Sequence, residues 1–220
     1  MLQSTLKNRT VFCRDNLDIL QNIDSNTIDL IYLDPPFNKN KVFTAPIGSS
    51  AEGASFKDIF RQEDIKDEWL QTIKEDNIEL YNFLNGVKNI SSNKHHLYNY
   101  CYLAYMAIRL MEMQRILKDT GSIYFHCDPT MSHYIKLLMD IIFGEKNFRN
   151  EIIWCYKGAS EAKKSFPKKH DIIFYYSKSE QANFNFDSIR IPYKSNNIKP
   201  AKWKDGIHKK NPLGTKCLDW

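Results

Sequence analysis

The apolar and polar residues of this chain alternate between strand-like and helix-like patterns. The clearest strand signal is Ile28–Leu33, an apolar run around one Asp that the sequence Asp34-Pro35-Pro36 breaks. Uninterrupted apolar runs suit strands buried on both faces of a parallel sheet, so we expect such a strand here. Further β-prone runs predict strands at residues 10–13, 122–126, 151–156 and 171–176. A basic loop joins the last two, which we expect to form an antiparallel pair at a sheet edge.

Helical periodicity occupies much of the chain between these strands. Apolar residues recur at helical spacing over residues 65–73 and 78–87, and a longer apolar stripe runs from about 98 to 118. Gly121 is expected to end the long helix, because glycine readily adopts the backbone conformation that closes a helix. Residues 38–55 are rich in Gly, Ser and Ala and are expected to form a polar loop.

Another helix is predicted after the strand at 122–126. Asp128 followed by Pro129 indicates an N-cap and a first helical position, and Gly144 should end that helix. The resulting order of strands and helices is typical of an α/β domain with a largely parallel sheet. Such sheets bind ligands beyond the carboxyl ends of their strands. Two segments with unusual chemistry leave strands at such ends, Asp34-Pro35-Pro36-Phe37 and His126-Cys127-Asp128-Pro129.

Composition narrows the class of protein. Of the 220 residues, 42% are hydrophobic, which is enough for a sizeable core. The five cysteines include no Cys-x-x-Cys pair, so a zinc ribbon and a secreted disulfide framework are excluded, and we expect no metal site. The apolar runs are too short for a signal peptide or a transmembrane span. We therefore expect a soluble, cytoplasmic protein with no membrane partner.

Charge is distributed unevenly along the chain. Residues 157–210 contain thirteen Lys or Arg against five Asp or Glu, whereas the rest of the chain is slightly acidic. A polyanion is a natural partner for such a segment, and the alternative is an ordinary solvated surface rich in lysine.

The sequence Asp34-Pro35-Pro36-Phe37 offers a specific set of chemical groups. Two consecutive prolines stiffen the backbone and remove two N–H donors, so the turn presents carbonyl acceptors. The Asp adds a carboxylate acceptor and the Phe adds a flat apolar face. This set suits the exocyclic amino group of a nucleobase, which needs two acceptors for its N–H bonds and an aromatic surface for its ring. A base within a duplex would have to be flipped out to reach it.

Several segments resemble one family of enzymes. The run IDLIYLDPPFN resembles the catalytic motif of DNA adenine-N6 and cytosine-N4 methyltransferases. The run DTGSIYFHCDPTMSHYIKLLMDIIFGEKNFRNEIIW resembles the β-group of these enzymes, whose motif order is circularly permuted and which includes type III modification subunits. KKHDIIFYYSK is similar to the last strand before the target-recognition region, and CRDNLDIL is similar to a segment near the adenine of the cofactor.

This resemblance implies a Rossmann-like, S-adenosylmethionine-dependent methyltransferase fold, circularly permuted and incomplete in this chain. Residues 1–178 would form the catalytic half, and residues 179–220 would begin the target-recognition region. The implied reaction is site-specific methyl transfer to N6 of a flipped adenine in double-stranded DNA. A restriction endonuclease subunit is an implied partner.

The resemblance also assigns roles to residues. Asp34 and the Pro35 carbonyl would hold the amino group, Pro36 would complete the stiff turn, and Phe37, where most relatives have Tyr, would stack on the base. Asp15 and Asp34 would lie at the cofactor, although Asp15 fits a helix cap equally well.

The four lysines of the basic loop are candidate contacts to DNA phosphates: Lys163, Lys164, Lys168 and Lys169.

One part of the family pattern has no counterpart. The family binds S-adenosylmethionine with a glycine-rich loop, Phe-x-Gly-x-Gly, and none of the eight glycines here stands in a Gly-x-Gly. In the β-group this loop follows the target-recognition region. The resemblance therefore implies that the loop lies beyond residue 220 or on a second polypeptide. We expect the 220 residues alone to bind S-adenosylmethionine weakly.

Two other functions stay open. Cytosine-N4 methylation is one, although relatives with that specificity usually carry Ser where this chain has Asp34. The other is a non-catalytic DNA-binding fragment, which the missing glycine loop favours.

Overall fold

A computed structural model gives the fold of the chain and describes residues 9–90, 94–158, 163–192 and 215–217. The chain divides into two compact units, Met1–Ala182 and Asn183–Trp220. This division lies close to the predicted boundary between residues 178 and 179. The assignment of the second unit to target recognition stays a prediction.

The first unit contains helices and strands in mixed order. Its helices are α1 (Asn16–Leu20), α2 (Asp67–Asp76), α3 (Ile78–Asn89), α4 (Lys94–Ile116) and α5 (Ser132–Phe143). Its strands are β1 (Ile28–Leu33), β2 (Lys41–Thr44), β3 (Ser55–Asp58), β4 (Leu117–Cys127), β5 (Phe148–Cys155) and β6 (His170–Ser177). The second unit contains a short antiparallel pair, β7 (Arg190–Pro192) and β8 (Thr215–Cys217).

The main sheet has four strands in the order β1-β4-β6-β5. β1 and β4 are parallel, whereas β6 is antiparallel to both of its neighbours. The α/β class is confirmed, as is the antiparallel pair β5–β6 with β5 at the edge. The expectation of a largely parallel sheet is wrong for the described residues, because β5 and β6 are joined as a hairpin, and a hairpin connection makes strands antiparallel.

Two local predictions are also wrong. Residues 10–13 form no strand, since they lie apart from the sheet with Val11 93% exposed. The expected loop at 38–55 contains an antiparallel hairpin instead, in which β2 pairs with β3 and Phe43 stacks on Phe56 with ring centroids 5.0 Å apart. Cross-strand pairs of aromatic residues stabilise such hairpins. The amino-acid composition of the segment does not reveal this contact.

The long helix ends earlier than predicted. α4 stops at Ile116, and Gly121 lies inside β4 rather than at a helix end. The pairing of β1 with β4 shifts register between Ile28 and Leu30. A Cβ on Gly121 would lie 2.8 Å from the Leu117 side chain and 2.9 Å from the Lys118 carbonyl oxygen. Gly121 therefore permits the close backbone approach of a β-bulge, a common role of glycine within strands.

The core lies between α4 and one face of the sheet. α4 is buried almost all round, as expected of a helix with apolar residues on every side, and it contacts α1, α2, α3 and α5. The sheet face toward the core carries side chains that are at most 5% exposed: Ile123, Phe125, Cys127, Ile172, Phe174 and Tyr176. On β1, Leu30 and Tyr32 are 58% and 60% exposed, so the prediction that this strand is buried on both faces is wrong.

The segment before α5 differs slightly from its prediction. The Asp128 carboxylate accepts the N–H groups of Thr130 and Met131 at 3.1 and 3.2 Å, and therefore caps the turn that leads into the helix. α5 itself begins at Ser132, three residues after Pro129, and Gly144 ends it as predicted with a φ of 89°. In the described part of the chain, no helix is long and apolar enough to cross a membrane.

Burial in this core predicts which cysteine thiols react with alkylating agents. Burial raises the pKa of the Cys101 thiol to about 11 and that of Cys127 further, whereas Cys13 and Cys155 are exposed. Only the thiolate reacts with alkylating agents. We therefore expect maleimide at pH about 8 to modify Cys13 and Cys155 rapidly and to leave Cys101 and Cys127 unmodified.

Peptide mapping by mass spectrometry would identify the modified cysteines. In denaturant all five cysteines of the chain should react, which serves as the control. Rapid modification of Cys127 in the native protein would contradict its place in the core.

Candidate active site

The Asp-Pro-Pro-Phe sequence leaves the sheet at the carboxyl end of β1. We refer to residues 34–39 as the DPPF turn. Leu33, the last residue of β1, pairs with Phe125 of the parallel strand β4. The turn and the end of β4 therefore lie side by side at the edge of the sheet that the carboxyl ends of β1 and β4 form. Proteins of the α/β class bind ligands beyond such strand ends. The side chain of Asp34 is 61% exposed, and Phe37 is partly buried.

A buried carboxylate holds the DPPF turn. Asp58, at the end of β3, is 1% exposed and accepts three successive backbone N–H groups of the turn. Oδ2 accepts from Phe37 and Lys39 at 3.1 and 3.0 Å, and Oδ1 accepts from Asn38 at 2.8 Å. Asn38 has a φ of 58°, which lets these N–H groups converge into a concave anion site. Asparagine tolerates this left-handed conformation better than most residues.

Side chains of the turn reach two further elements. The Asn38 amide donates to Asn99 Oδ1 on α4 at 3.0 Å. The Lys39 ammonium forms an ion pair with Asp128, whose carboxylate is 5% exposed. Three separate parts of the fold therefore fix the backbone immediately after Phe37.

His126 contacts the side chains of both Asp34 and Phe37. Its Nδ1 lies 2.9 Å from Asp34 Oδ1, and its ring meets Phe37 edge to face with centroids 5.0 Å apart. On its other side, Nε2 lies 3.6 Å from Asp171 Oδ2 at the start of β6. In the sequence His126 is recognisable only as part of a strand end, because the contact with Asp34 depends on the pairing of β1 with β4.

Asp15 has a structural role. It is the N-cap of α1, where Oδ1 accepts the Leu17 N–H at 2.9 Å, and both of its oxygens lie 2.8 Å from Arg109 Nη2. Burial disfavours ionisation of Asp15, but the Leu17 N–H and the Arg109 guanidinium outweigh it, so the pKa of Asp15 lies below its ordinary value. The contact of Asp15 with a cofactor stays a prediction.

The candidate lysines lie in the loop between β5 and β6. Because β6 is antiparallel to β4, its first residue His170 lies near the end of β4, where Cys127 pairs with Ile172. The loop therefore leaves the sheet at the same edge as the DPPF turn. Lys163, Lys164 and Lys168 are exposed, and Lys169 is half-buried.

Sequence reasoning missed Asp58, Asn38 and Asn99. Asn38 and Asn40 carried a weak signal, because asparagines in a turn favour positive φ, which both adopt. Asp58 carried none, since its role depends on the hairpin that brings it back to the turn. Among the described residues, no cluster of His, Cys, Asp and Glu could hold a metal ion.

Comparison with known proteins identifies the family. The sequence model of the N6_N4_Mtase family, described as DNA methylase, matches residues 28–219. The chain belongs to this family of DNA methylases.

Several known methyltransferases and modification subunits are similar to this family member. The Mod subunit of the type III restriction-modification enzyme StyLTI from Salmonella typhimurium is 28% identical over 184 residues, which are 81% of this chain and 25% of that protein. The type II methyltransferase M.KpnI from Klebsiella pneumoniae is 28% identical over 181 residues, 80% of this chain and 34% of that protein. The chain thus spans about a quarter to a third of these two relatives.

A solved structure is also similar to this chain. PvuII DNA methyltransferase (cytosine-N4-specific) matches with a TM-score of 0.48 and 12% identity, over 81% of this chain and 52% of that one.

The hydrogen bonds between Asp58 and the DPPF turn predict the effect of changing Asp58. In Asp58→Asn, one side-chain oxygen and an NH2 group would replace the carboxylate, so at least one N–H of the turn would face the buried side chain at position 58 without an acceptor. An unsatisfied buried donor costs about 1–3 kcal/mol, and we expect the free energy of unfolding to fall by that amount. Urea denaturation would measure it.

Asp24→Asn is the matched control, because Asp24 is exposed. Surface changes of this kind normally stay within about 0.5 kcal/mol. Equal stability of the two variants would show that Asp58 does not hold the turn.

Proposed function

We propose that this DNA methylase family member carries the catalytic part of an enzyme that transfers a methyl group from S-adenosylmethionine to N6 of a flipped adenine in double-stranded DNA. The observation that carries the proposal is the DPPF turn. Its carboxylate is exposed, its backbone is fixed from three sides, and it lies at the ligand-binding edge of the sheet.

The chemistry of the turn fits an amino group. Asp34 Oδ1 already faces His126, so Oδ2 is the oxygen available to accept one N6–H. The Pro35 carbonyl would accept the other. Two acceptors in this arrangement draw the nitrogen lone pair out of conjugation with the ring and aim it at an electrophile. Such pre-organised polar groups supply a large share of enzymatic rate enhancement.

Phe37 is suited to hold the base. Its ring is fixed by the His126 contact at one edge and by the backbone hydrogen bond from its own N–H to Asp58. A flipped base is commonly held by stacking on an aromatic side chain. A fixed ring loses little conformational freedom when a base binds, which favours Phe37 as the stacking surface.

The cofactor proposed for this site is S-adenosylmethionine, which supplies an electrophilic methyl group on a positively charged sulfur. The exposed Asp34 carboxylate suits a neighbouring cation, so the DPPF turn fits the methyl-donating end of the molecule. Asp34, together with Asp15, is the proposed cofactor contact. The nucleoside end requires groups beyond these two carboxylates, because the sequence contains no Gly-x-Gly.

Double-stranded DNA is the proposed partner of the basic loop. Lys163, Lys164 and Lys168 are exposed on the loop that leaves the sheet beside the DPPF turn. Lysines placed there could neutralise phosphates next to a base bound at Phe37. Because one relative is named a Mod subunit of a type III restriction-modification enzyme, a restriction endonuclease subunit is a further proposed partner.

The first test of this function concerns the turn itself. In the active protein, Asp34→Ala should reduce the rate of methyl transfer by about 10²–10³ or more, because the variant has no carboxylate to accept the reacting amino group. Transfer of labelled methyl groups to DNA would give the rate. Mass spectrometry of the nucleosides would show whether N6-methyladenine or N4-methylcytosine forms.

Asp29→Ala is the matched control, since Asp29 lies on β1, the strand that leads into the turn, is exposed, and forms only a surface ion pair with Lys118. Phe37→Tyr should be nearly silent and Phe37→Ala strongly impaired, because base stacking is worth roughly 1–3 kcal/mol. Methylation by Asp34→Ala at the wild-type rate would refute the assignment.

The second test concerns the basic loop. Replacing Lys163, Lys164, Lys168 and Lys169 with Gln, singly and together, should weaken binding to all DNA sequences alike. The slope of log affinity against log salt should shrink by about 0.9 for each phosphate that the variant no longer neutralises. Fluorescence anisotropy over a range of salt concentrations would measure the slope.

Lys146→Gln is the control. Lys146 is exposed and precedes β5, at the end of the sheet opposite the basic loop. If the slope stays the same in the loop variants, these lysines form an ordinary solvated surface and do not bind phosphates.

A further inference from the structure

His126 lies between two carboxylates at the edge of the sheet that carries the DPPF turn. Its Nδ1 is 2.9 Å from Asp34 Oδ1, and its Nε2 is 3.6 Å from Asp171 Oδ2. The imidazole is 19% exposed, and Nε2 is buried with no hydrogen-bond partner among the described residues. A polar ring held in this way, against a functional carboxylate, calls for a physical explanation.

We propose that His126 is a positioning residue for Asp34: its Nδ1–H donates to Oδ1 and leaves Oδ2 turned toward the substrate amino group. The inference rests on the proposed function of Asp34 and adds to it the residue that orients the carboxylate.

The two distances decide which nitrogen carries the hydrogen. If only Nε2 were protonated, the Nδ1 lone pair would face a carboxylate oxygen at 2.9 Å, a hydrogen-bond distance without a hydrogen. With the hydrogen on Nδ1, that contact becomes a hydrogen bond to an ionised acceptor. The bare Nε2 then faces Asp171 at 3.6 Å, where repulsion is weaker. In the imidazolium, Nδ1 also donates to Asp34.

Asp34 needs such a partner, because it stands at an exposed strand end. Two prolines follow it, so the next two residues offer no N–H to its carboxylate. His126 is the only hydrogen-bond partner that the described residues provide for this carboxylate. Without it, rotation of the Asp34 side chain would bring either oxygen toward the substrate in many orientations.

His126 itself is rigidly placed. It lies on β4, where it pairs with Ile173 of β6, and its ring packs against Phe37. One imidazole therefore fixes the acceptor carboxylate relative to the stacking ring. Support of this kind matters because a misplacement of about 1 Å can cost about 10²-fold in rate.

Nuclear magnetic resonance of the 220-residue chain tests the hydrogen position without any activity. Long-range ¹⁵N–¹H spectra distinguish the Nδ1–H tautomer, the Nε2–H tautomer and the imidazolium of a histidine. We expect His126 to carry its hydrogen on Nδ1, and to shift toward the Nε2–H tautomer in Asp34→Ala. The spectrum of His126→Asn would assign the signal among the six histidines. An Nε2–H tautomer in the wild type, or no change in Asp34→Ala, would overturn the inference.

Kinetics of the active protein test the consequence. His126→Leu should lower kcat by about 10²-fold and leave the KM values for DNA and cofactor little changed, because binding does not require an oriented carboxylate. His126→Asn should recover most of kcat, since its side-chain NH2 can donate from near the Nδ1 position. A variant that is merely misfolded would not show this rescue.

His133→Leu, at an exposed position on α5, is the matched control and should leave kcat unchanged. A wild-type kcat in His126→Leu, or no rescue by His126→Asn, would refute the positioning role. The proposed function can fail separately: if the wild-type protein transfers no methyl group to DNA, the tautomer measurement still decides whether His126 orients Asp34.

Discussion

The hydrogen bonds between the Asp58 carboxylate and three backbone N–H groups are the constraint on which the candidate site depends. A turn that contains two prolines cannot be held by a regular ladder, because it lacks the donors for one. The donors that follow the prolines are instead collected by a single buried anion. The charge of that anion is distributed over three N–H dipoles, which offsets the cost of burying it. The β2–β3 hairpin can be understood as the means by which the chain returns Asp58 to the turn.

Much of this architecture was predictable from sequence. Local periodicity and end signals predict β1, the helices from Asp67 to Asn89, the strand after the long helix and the β5–β6 pair. The DPPF turn was predictable too, because Pro and Asp act through the backbone immediately around them. Sequence patterns reveal the interactions between residues that are close together in the chain.

The features that escaped prediction depend on distant pairing. Asp58 is 21 residues from Phe37, and His126 is 92 residues from Asp34, and no periodicity connects them. A glycine after a long apolar stripe is typical of a helix end, but in the fold Gly121 lies at a β-bulge. Asp15 had two plausible roles in sequence. The Leu17 N–H that its carboxylate accepts accounts for the capping role, the buried Arg109 holds the same carboxylate, and the cofactor contact stays a prediction.

The antiparallel placement of β6 has a consequence for how this site can change. The loop between β5 and β6 is anchored by strands whose register is set by their own ladder and by the aromatic stack of Tyr124 on Tyr175. Loops tolerate insertion and substitution far better than the strands that carry them. The surface proposed to meet phosphates can therefore be lengthened, shortened or recharged while the acceptors at Asp34 and Pro35 stay in place. The proposed affinity for DNA and the proposed chemistry on the base can therefore vary independently, because the first belongs to a replaceable loop and the second to a turn that the fold holds from within.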